Sequence, residues 1–372
     1  MKLVVPNYFK EFKCIADKCK DCCCIGWEID IDETTAKYYK SLKTDFGKEL
    51  CQNISFGETN HFILDSKERC HFLNEKNLCN VFLEIGENHL CQICAEHPRY
   101  YEWFNGFKEG GIGLCCEEAC RIILSQTNNF STEEKNIEFE ECDEYDSVLY
   151  ELLYTSRKNI IDFFNNNSEF SESQKSKIIL LYAKELQNCI NSDNFEKAKK
   201  LQISDFENLF VHSKSNIQKC TNLENQTSLK NLLHFYINLE PLDIKWTEYL
   251  RNQIDLVETY YKNISEFEKN NPQIDQYLRN LAIYFIWRYF LKGCFDSDII
   301  SKVAFMVASI HIIKFLFFCK WYKYNSITLN DCILIVKQYS KEIEYSDTNM
   351  YEILDSYYFN NEFKVENLLR LY

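Results

Sequence analysis

Beyond residue 146, apolar positions recur three and four residues apart, a pattern that predicts stacked amphipathic helices. The clearest of them opens at Asn271-Pro272, a capping residue followed by a proline at the first turn. Its apolar face runs Ile274, Tyr277, Leu278, Leu281, Phe285 and Tyr289, and is expected to stop at Gly293. Val303 to Phe318 is apolar almost throughout, but His311 and Lys314 interrupt it. It is short for a membrane span and reads as a buried helix, with His311 a satisfied core histidine. Towards the N-terminus the pattern changes. Trp27, Ile29 and Ile31 alternate with polar residues, which predicts a short strand. Asp32 can then cap a helix with Ala36, Tyr39 and Leu42 on one face. A further helix is expected from about Cys115 to Leu124, and no repeat of fixed period is evident.

Glycine sharpens the contrast. Eight of the nine glycines lie in residues 1–120, and only Gly293 lies beyond. Loops and turns are therefore expected in the first part and helix almost throughout the second. The stretch 125–146 is rich in Asn, Ser, Thr and Glu and ends in Glu138, Glu140, Glu141, Asp143, Glu144 and Asp146. It reads as an acidic linker. The expected architecture is mainly α: an irregular Cys-rich N-terminal metal module over 1–124 with little strand, a linker over 125–146, and a larger all-helical domain over 147–372.

The chain has 372 residues and a formal charge of −14. Acidic residues outnumber basic ones 20 to 14 even within residues 1–120. No basic stripe exists to displace phosphate counterions, which argues against a nucleic-acid partner. The first twelve residues carry no export-signal pattern, so a cytoplasmic location and no membrane association are expected. In a reducing compartment, clustered cysteines mean metal or redox chemistry rather than disulfides. Nothing in the pattern speaks to oligomeric state.

Cysteine changes the picture most. Thirteen of nineteen fall within the first 120 residues: Cys14, Cys19, Cys22, Cys23, Cys24, Cys51, Cys70, Cys79, Cys91, Cys94, Cys115, Cys116 and Cys120. Cys91-Gln-Ile-Cys94 is a two-residue knuckle able to wrap one ion with both sulfurs. Four separate clusters point to at least one metal centre, and their number exceeds the four ligands of a single zinc or cubane site. Histidine ligands are scarce, His71 and His97 being the candidates, so all-thiolate coordination is expected, with an iron–sulfur cluster (4Fe-4S) favoured over zinc. Cys51, Cys142, Cys189, Cys220, Cys294, Cys319 and Cys332 read as small packed hydrophobes.

The segment FKCIADKCKDCCCIGWEIDID from Phe12 resembles the opening signature of the flagellin lysine N-methylase family. CHFLNEKNLCNVFLEIGENHLCQICAEHPR resembles its middle signature. EGGIGLCCEEACR is similar to its third element, at Cys116, Glu118 and Arg121. Order and spacing match over residues 8–124. The chain departs from the pattern in carrying Cys22, Cys115 and Cys120 where Thr, Ser and Ala are usual, Glu117 in place of Pro, and His97 where an aromatic is commoner. The matched cysteines, and hence the ligand pool the resemblance implies, are Cys14, Cys19, Cys23, Cys24, Cys70, Cys79, Cys91, Cys94 and Cys116.

The resemblance implies a protein-lysine N-methyltransferase acting on flagellin, with S-adenosylmethionine as donor. Such transfer needs a deprotonated lysine amine held in line with the methyl group. Tyr100 and Tyr101, next to Trp103, are the candidate catalytic side chains; Arg99, Gly111 and Gly113 are the candidates for binding the donor. Gly110-Gly111-Ile112-Gly113 is the only glycine-rich run and does not follow a clear strand, so no dinucleotide-type fingerprint is present. Two other readings stay open: a non-catalytic, metal-braced flagellin-binding adaptor, and an iron–sulfur redox protein.

Overall fold

A computed structural model of the chain describes residues 1–19, 25–26, 28–104, 106–138, 140, 142, 144–217 and 222–371. The fold is mainly helical, and beyond residue 146 helices account for every element described. The first 136 residues depart from the expected irregular module. Among the described residues they carry seven strands: β1 (Lys2–Pro6), β2 (Asp30–Ile31), β3 (Ile54–Ser55), β4 (Asn60–Phe62), β5 (Arg99–Phe104), β6 (Phe107–Ile112) and β7 (Thr132–Asn136). They form one sheet in the order β5-β6-β1-β7 and another in the order β2-β4-β3.

The larger sheet escaped the sequence pattern for a physical reason. β5 reads Arg-Tyr-Tyr-Glu-Trp-Phe and is half-buried along most of its length, so no apolar–polar alternation marks it. Its aromatic residues nevertheless favour a pleated strand. β6 holds the glycine run, which is extended and pairs antiparallel with β5, Tyr100 facing Gly111 and Tyr101 facing Gly110. β7 lies inside the expected linker. It closes the sheet edge antiparallel to β1, and its acidic side chains meet β1 and the turn after it through Lys2–Glu134 at 2.6 Å and Lys10–Glu133. A charged edge of this kind protects a sheet against further pairing.

Asp32 caps the helix Glu33–Ser41 as expected, its Oδ1 accepting from the Thr35 N–H at 2.9 Å, and Ala36 and Tyr39 are buried. The helix near Cys115 runs over Glu117–Leu124. In the helix Gln273–Tyr289, Pro272 takes the capping position, while the Asn271 amide donates back to the Phe267 carbonyl. Gly293 does not end that run. The chain passes through one tight turn, Phe290–Lys292, into Gly293–Asp296, and turns only at Ser297 with φ 58. Gly293 is there for closeness: a Cβ would stand 2.4 Å from Ile299 Cγ2.

The helix Ile300–Tyr324 is long and apolar enough to cross a membrane, yet the whole of its most apolar window is buried inside the fold. It packs on the helices Glu172–Asn191 and Gln273–Tyr289. His311 on it is half satisfied: Nδ1 meets the Val307 carbonyl at 2.8 Å and Nε2 has no hydrogen-bond partner among the described residues. Burial, aided by Lys177, pushes its pKa well down and keeps it neutral.

Two apolar cores result. The larger takes in Tyr8, Phe12, Phe104, Ile112 and the helix Glu117–Leu124, and continues without a break through the later helices to Leu371. The smaller comprises Ile29, Ile31, Ala36, Tyr39, Leu50, Ile54, Phe62, Cys70, Phe72, Val81 and Cys91.

Candidate functional site

The smaller core brings sulfurs together. An antiparallel bridge pairs Leu64 with Cys70 and another pairs Leu73 with Cys79. Between them the Arg69 guanidinium donates to the carbonyls of Leu73 and Asn74, fixing the turn. Cys79 directly precedes the helix Asn80–Ile85 and Cys91 precedes Gln92–Glu96. Asp32, already capping one helix, also accepts the Gln92 N–H at 3.0 Å and so ties the knuckle to it. The Tyr39 hydroxyl donates to the His89 carbonyl just before the knuckle.

Cys91 and Cys94 share a hydrogen bond. Its acceptor, Cys91, is held below the usual thiol pKa by the Cys94 donor, against burial. Cys94 is pushed up by the same bond, then by burial, and then by the neighbouring sulfurs of Cys91, Cys79 and Cys70. These four sulfurs therefore act on one another in a mostly apolar surround. A second set lies against the start of the helix Glu117–Leu124. Burial lifts the Cys116 thiol to about 11, and the sulfurs of Cys19 and Cys14 add to the rise. Cys19 Sγ lies 3.8 Å from Glu117 Oε2. Cys23, Cys24, Cys22, Trp27 and Cys220 lie outside the described residues. Among the described residues, no three His, Cys, Asp or Glu side chains are gathered as a ready-made ion site. The donor set is nonetheless soft: four thiols around the knuckle and three beside Glu117, which suits zinc or iron–sulfur chemistry.

The other cysteines mostly pack. Cys189, Cys294, Cys319 and Cys332 are buried and Cys51 and Cys142 half-buried. Cys120 donates to the Leu114 carbonyl at 2.8 Å, and Cys115 lies 3.9 Å from His97 Nε2 with its thiol lifted by burial to about 12.

The remaining candidates sit on or beside β5 and β6. Tyr100 lies over Gly111, where a Cβ would stand 2.3 Å from the Tyr100 hydroxyl, and Tyr345 lies over Gly113, where it would stand 2.1 Å from that hydroxyl. The glycines thus make room for tyrosines, and neither Gly111 nor Gly113 lines an open cradle for a donor. Arg99 stacks on Phe12 and Phe9, 5.1 and 5.7 Å from the ring centres, instead of forking a carboxylate. Tyr101 donates to Glu96 at 2.8 Å. Arg121 forks Glu118 through two bonds of 2.7 and 2.6 Å.

The sequence reading missed the joint between the sheet and the helices. Glu344 Oε2 accepts from Tyr284 at 2.9 Å, Tyr289 at 2.8 Å and Arg288 at 3.1 Å, while its Oε1 has no hydrogen-bond partner among the described residues. The Arg288 guanidinium lies 4.5 Å from the Tyr100 ring and 5.3 Å from that of Tyr345. One layer away, Arg157 forks Glu109 of β6 at 2.7 and 2.5 Å and stacks on Trp287 at 4.3 Å. The available signal was a charge inside an aromatic run, Tyr284-Phe-Ile-Trp-Arg-Tyr289. A buried arginine there requires a carboxylate from elsewhere in the chain.

Residues 157–371 match the family described as FliB lysine N-methylase C-terminal domain. Among curated proteins, a lysine-N-methylase of Salmonella typhimurium is 28% identical over 141 residues, covering 36% of this chain and 35% of that protein. A lysine-N-methylase of Salmonella choleraesuis matches to the same extent. A flagellar biosynthetic protein FliU of Salmonella muenchen is 27% identical over 139 residues, 35% of this chain and 81% of that protein. The match thus spans about a third of the length of the lysine-N-methylases. No solved structure matches.

Proposed function

We infer function from one premise: the chain belongs to the FliB lysine N-methylase family, matched over residues 157–371, more than half its length. On that premise the protein is a lysine N-methyltransferase that modifies flagellin in the cytoplasm, with S-adenosylmethionine as methyl donor. The family match carries this reading. The matched region supplies Arg157, which binds Glu109 of β6, Trp287, which donates to the Gly110 carbonyl, and Arg288, which stacks on Tyr100 of β5; Tyr284, Tyr289 and Glu344 surround Arg288, and Tyr345 lies over Gly113 just beyond β6. Family domain and Cys-rich part are therefore built to work as one body.

Cys70, Cys79, Cys91 and Cys94 would hold one metal centre, iron–sulfur in preference to zinc. Cys14, Cys19 and Cys116 would form a second thiolate set; Cys23 and Cys24, also in the ligand pool, lie outside the described residues. When bound, such a centre supplies bracing for a small core together with Lewis-acid or electron-transfer capacity. The chain's own part is to hold the sulfurs. The Cys91–Cys94 bond already favours one thiolate, and Asp32 and Tyr39 fix the backbone on either side of the knuckle.

The test is anaerobic purification with iron, sulfide and zinc quantified, followed by incubation with flagellin and S-adenosylmethionine. Peptide mass spectrometry should find lysines heavier by whole methyl groups. Flagellin of unchanged mass after incubation with fully metal-loaded protein rejects the reading.

A further inference from the structure

One face of the larger sheet carries a cation in a box. Tyr101 and Trp103 stand two residues apart on β5 and share one face. Their ring centres are 6.3 Å apart, inclined at 55°. Lys108 on β6 is the register partner of Trp103. Its ammonium lies 4.4 Å from the centre of the Tyr101 ring and 4.5 Å from that of Trp103. Glu140, beyond β7, completes the enclosure. Glu140 takes Lys108 Nζ on both carboxylate oxygens, at 3.2 and 3.0 Å, and accepts the Trp103 indole N–H on Oε2. The Trp103 bond first, and Lys108 second, hold the Glu140 carboxyl below the ordinary carboxylate range.

Two π faces and a carboxylate around one ammonium are the elements that select alkylated ammonium groups. Ordinary packing does not require them here. The side chain of Glu140 is 41% exposed and would be solvated without Lys108, while that of Lys108 is only 14% exposed. No apolar core rests on the pair: Tyr101, Trp103, Lys108 and Glu140 belong to neither buried cluster. The second side of Tyr101 is tied down by its bond to Glu96 and an edge contact with Phe9, so the box keeps its shape.

We propose that Tyr101, Trp103 and Glu140 form a binding site for the ammonium head of a protein lysine, methylated or not, and that Lys108 is its tethered occupant. An incoming side chain replaces one ammonium by another, so the contacts at the box nearly balance; the tether favours Lys108, and the peptide's other contacts must offset that advantage. Each added methyl spreads the charge and widens the contact with the rings, so the site grips a methylated lysine more firmly than an unmodified one. The choice of a lysine as ligand rests on the methyltransferase reading; the preference for a cation rests on the box alone.

The test uses the whole protein and no donor. Lysines are acetylated with a limiting amount of an N-hydroxysuccinimide ester and followed by peptide mass spectrometry, in sodium chloride or in tetramethylammonium chloride of equal ionic strength. Lys108 is expected to react several-fold more slowly than Lys292 in sodium chloride. Tetramethylammonium should speed Lys108 at least threefold and leave Lys292 unchanged. Unaltered Lys108 labelling overturns the proposal. In a second arm, Lys108→Ser is titrated with peptides bearing trimethyl-lysine, lysine or acetyl-lysine. It should bind the trimethyl-lysine peptide at least tenfold more tightly than the unaltered protein does, and lose that gain when Trp103→Ala is added. Equal binding of the acetyl-lysine peptide also overturns it. Should Lys108→Ser fail to fold, the labelling of the unaltered protein decides alone. A protein that passes both arms yet adds no methyl to flagellin would lose the proposed function and keep the site.

Discussion

Glu109→Gln tests whether the sheet and the family domain are welded through one buried ion pair. Glu109 lies on β6 and Arg157 on the helix Ser147–Asn166, and their side chains are 7% and 3% exposed. Burial alone would push the guanidinium pKa down, but Glu109 outweighs it and Arg157 stays charged. Glutamine keeps the shape and one acceptor but removes the countercharge, leaving Arg157 with the Trp287 ring and a 3.4 Å bond to the Trp287 carbonyl. Breaking one side of a buried pair costs about 3–5 kcal/mol. For a chain of this size that is a fall of about 4–6 °C in melting temperature. Removing both partners together, as Glu109→Leu with Arg157→Met, leaves no orphan charge and should recover most of the loss. The exposed pair Lys184–Glu366 is the control, since Lys184→Ala should cost no more than about 1 kcal/mol. Urea and thermal unfolding followed by circular dichroism measure all four. A single variant within about 1 kcal/mol of the parent, or a double variant no more stable than the single, refutes the weld.

Three further outcomes are expected. Cys91→Ser with Cys94→Ser should lose iron and zinc and loosen the smaller core; unchanged metal content would remove the knuckle from the ligand set. Gly113→Ala places a Cβ 2.1 Å from the Tyr345 hydroxyl and should cost about 1–3 kcal/mol, partly recovered by Tyr345→Phe, whereas Gly57→Ala, with nothing nearer than 3.9 Å, should be silent in the same melts. Glu172 is lifted to about 7, burial outweighing Lys175, so the folded chain holds a proton that the unfolded chain has already released. Stability should therefore decline as pH rises from about 4.5 to about 7 and level off above; urea midpoints across that window should lose this slope in Glu172→Gln.

The helical part was legible because its signals are local. Asp32 as a cap, the buried face of Gln273–Tyr289 and the buried run within Ile300–Tyr324 all follow from spacing within one element. The sheet was not, because its pairings are remote: β1 lies between β6 and β7, more than 100 residues away. Its aromatic strand is half-covered on both faces, which erases the period of two. What crowds the glycine run is also remote: Gly111 answers to Tyr100 on the paired strand, and Gly113 to Tyr345, over 200 residues further on. A separation of 56 residues likewise hides the Arg288–Glu344 joint, for which only one half, a charge among aromatics, is visible locally.

The two cores set different conditions for stability. The larger is continuous from Tyr8 to Leu371 and buries the Ile300–Tyr324 helix on every side, so burial of apolar area alone can hold it. The smaller has eleven fully buried members, and two of them, Cys70 and Cys91, are themselves sulfurs of the knuckle neighbourhood. So few buried side chains rarely sustain a fold without a staple. The backbone there is held by turns and short elements: the Arg69 bonds to two carbonyls, Asp32 on Gln92, Tyr39 on His89. All of these position sulfur-bearing segments, and none replaces the missing apolar area. Free energy from metal binding would therefore appear as folding energy of the smaller core. The larger core, and with it the Arg157–Glu109 weld, should persist when the metal is stripped. Melting the stripped protein should accordingly show hydrogen exchange rising first within residues 28–97 while the helices beyond 147 keep their protection.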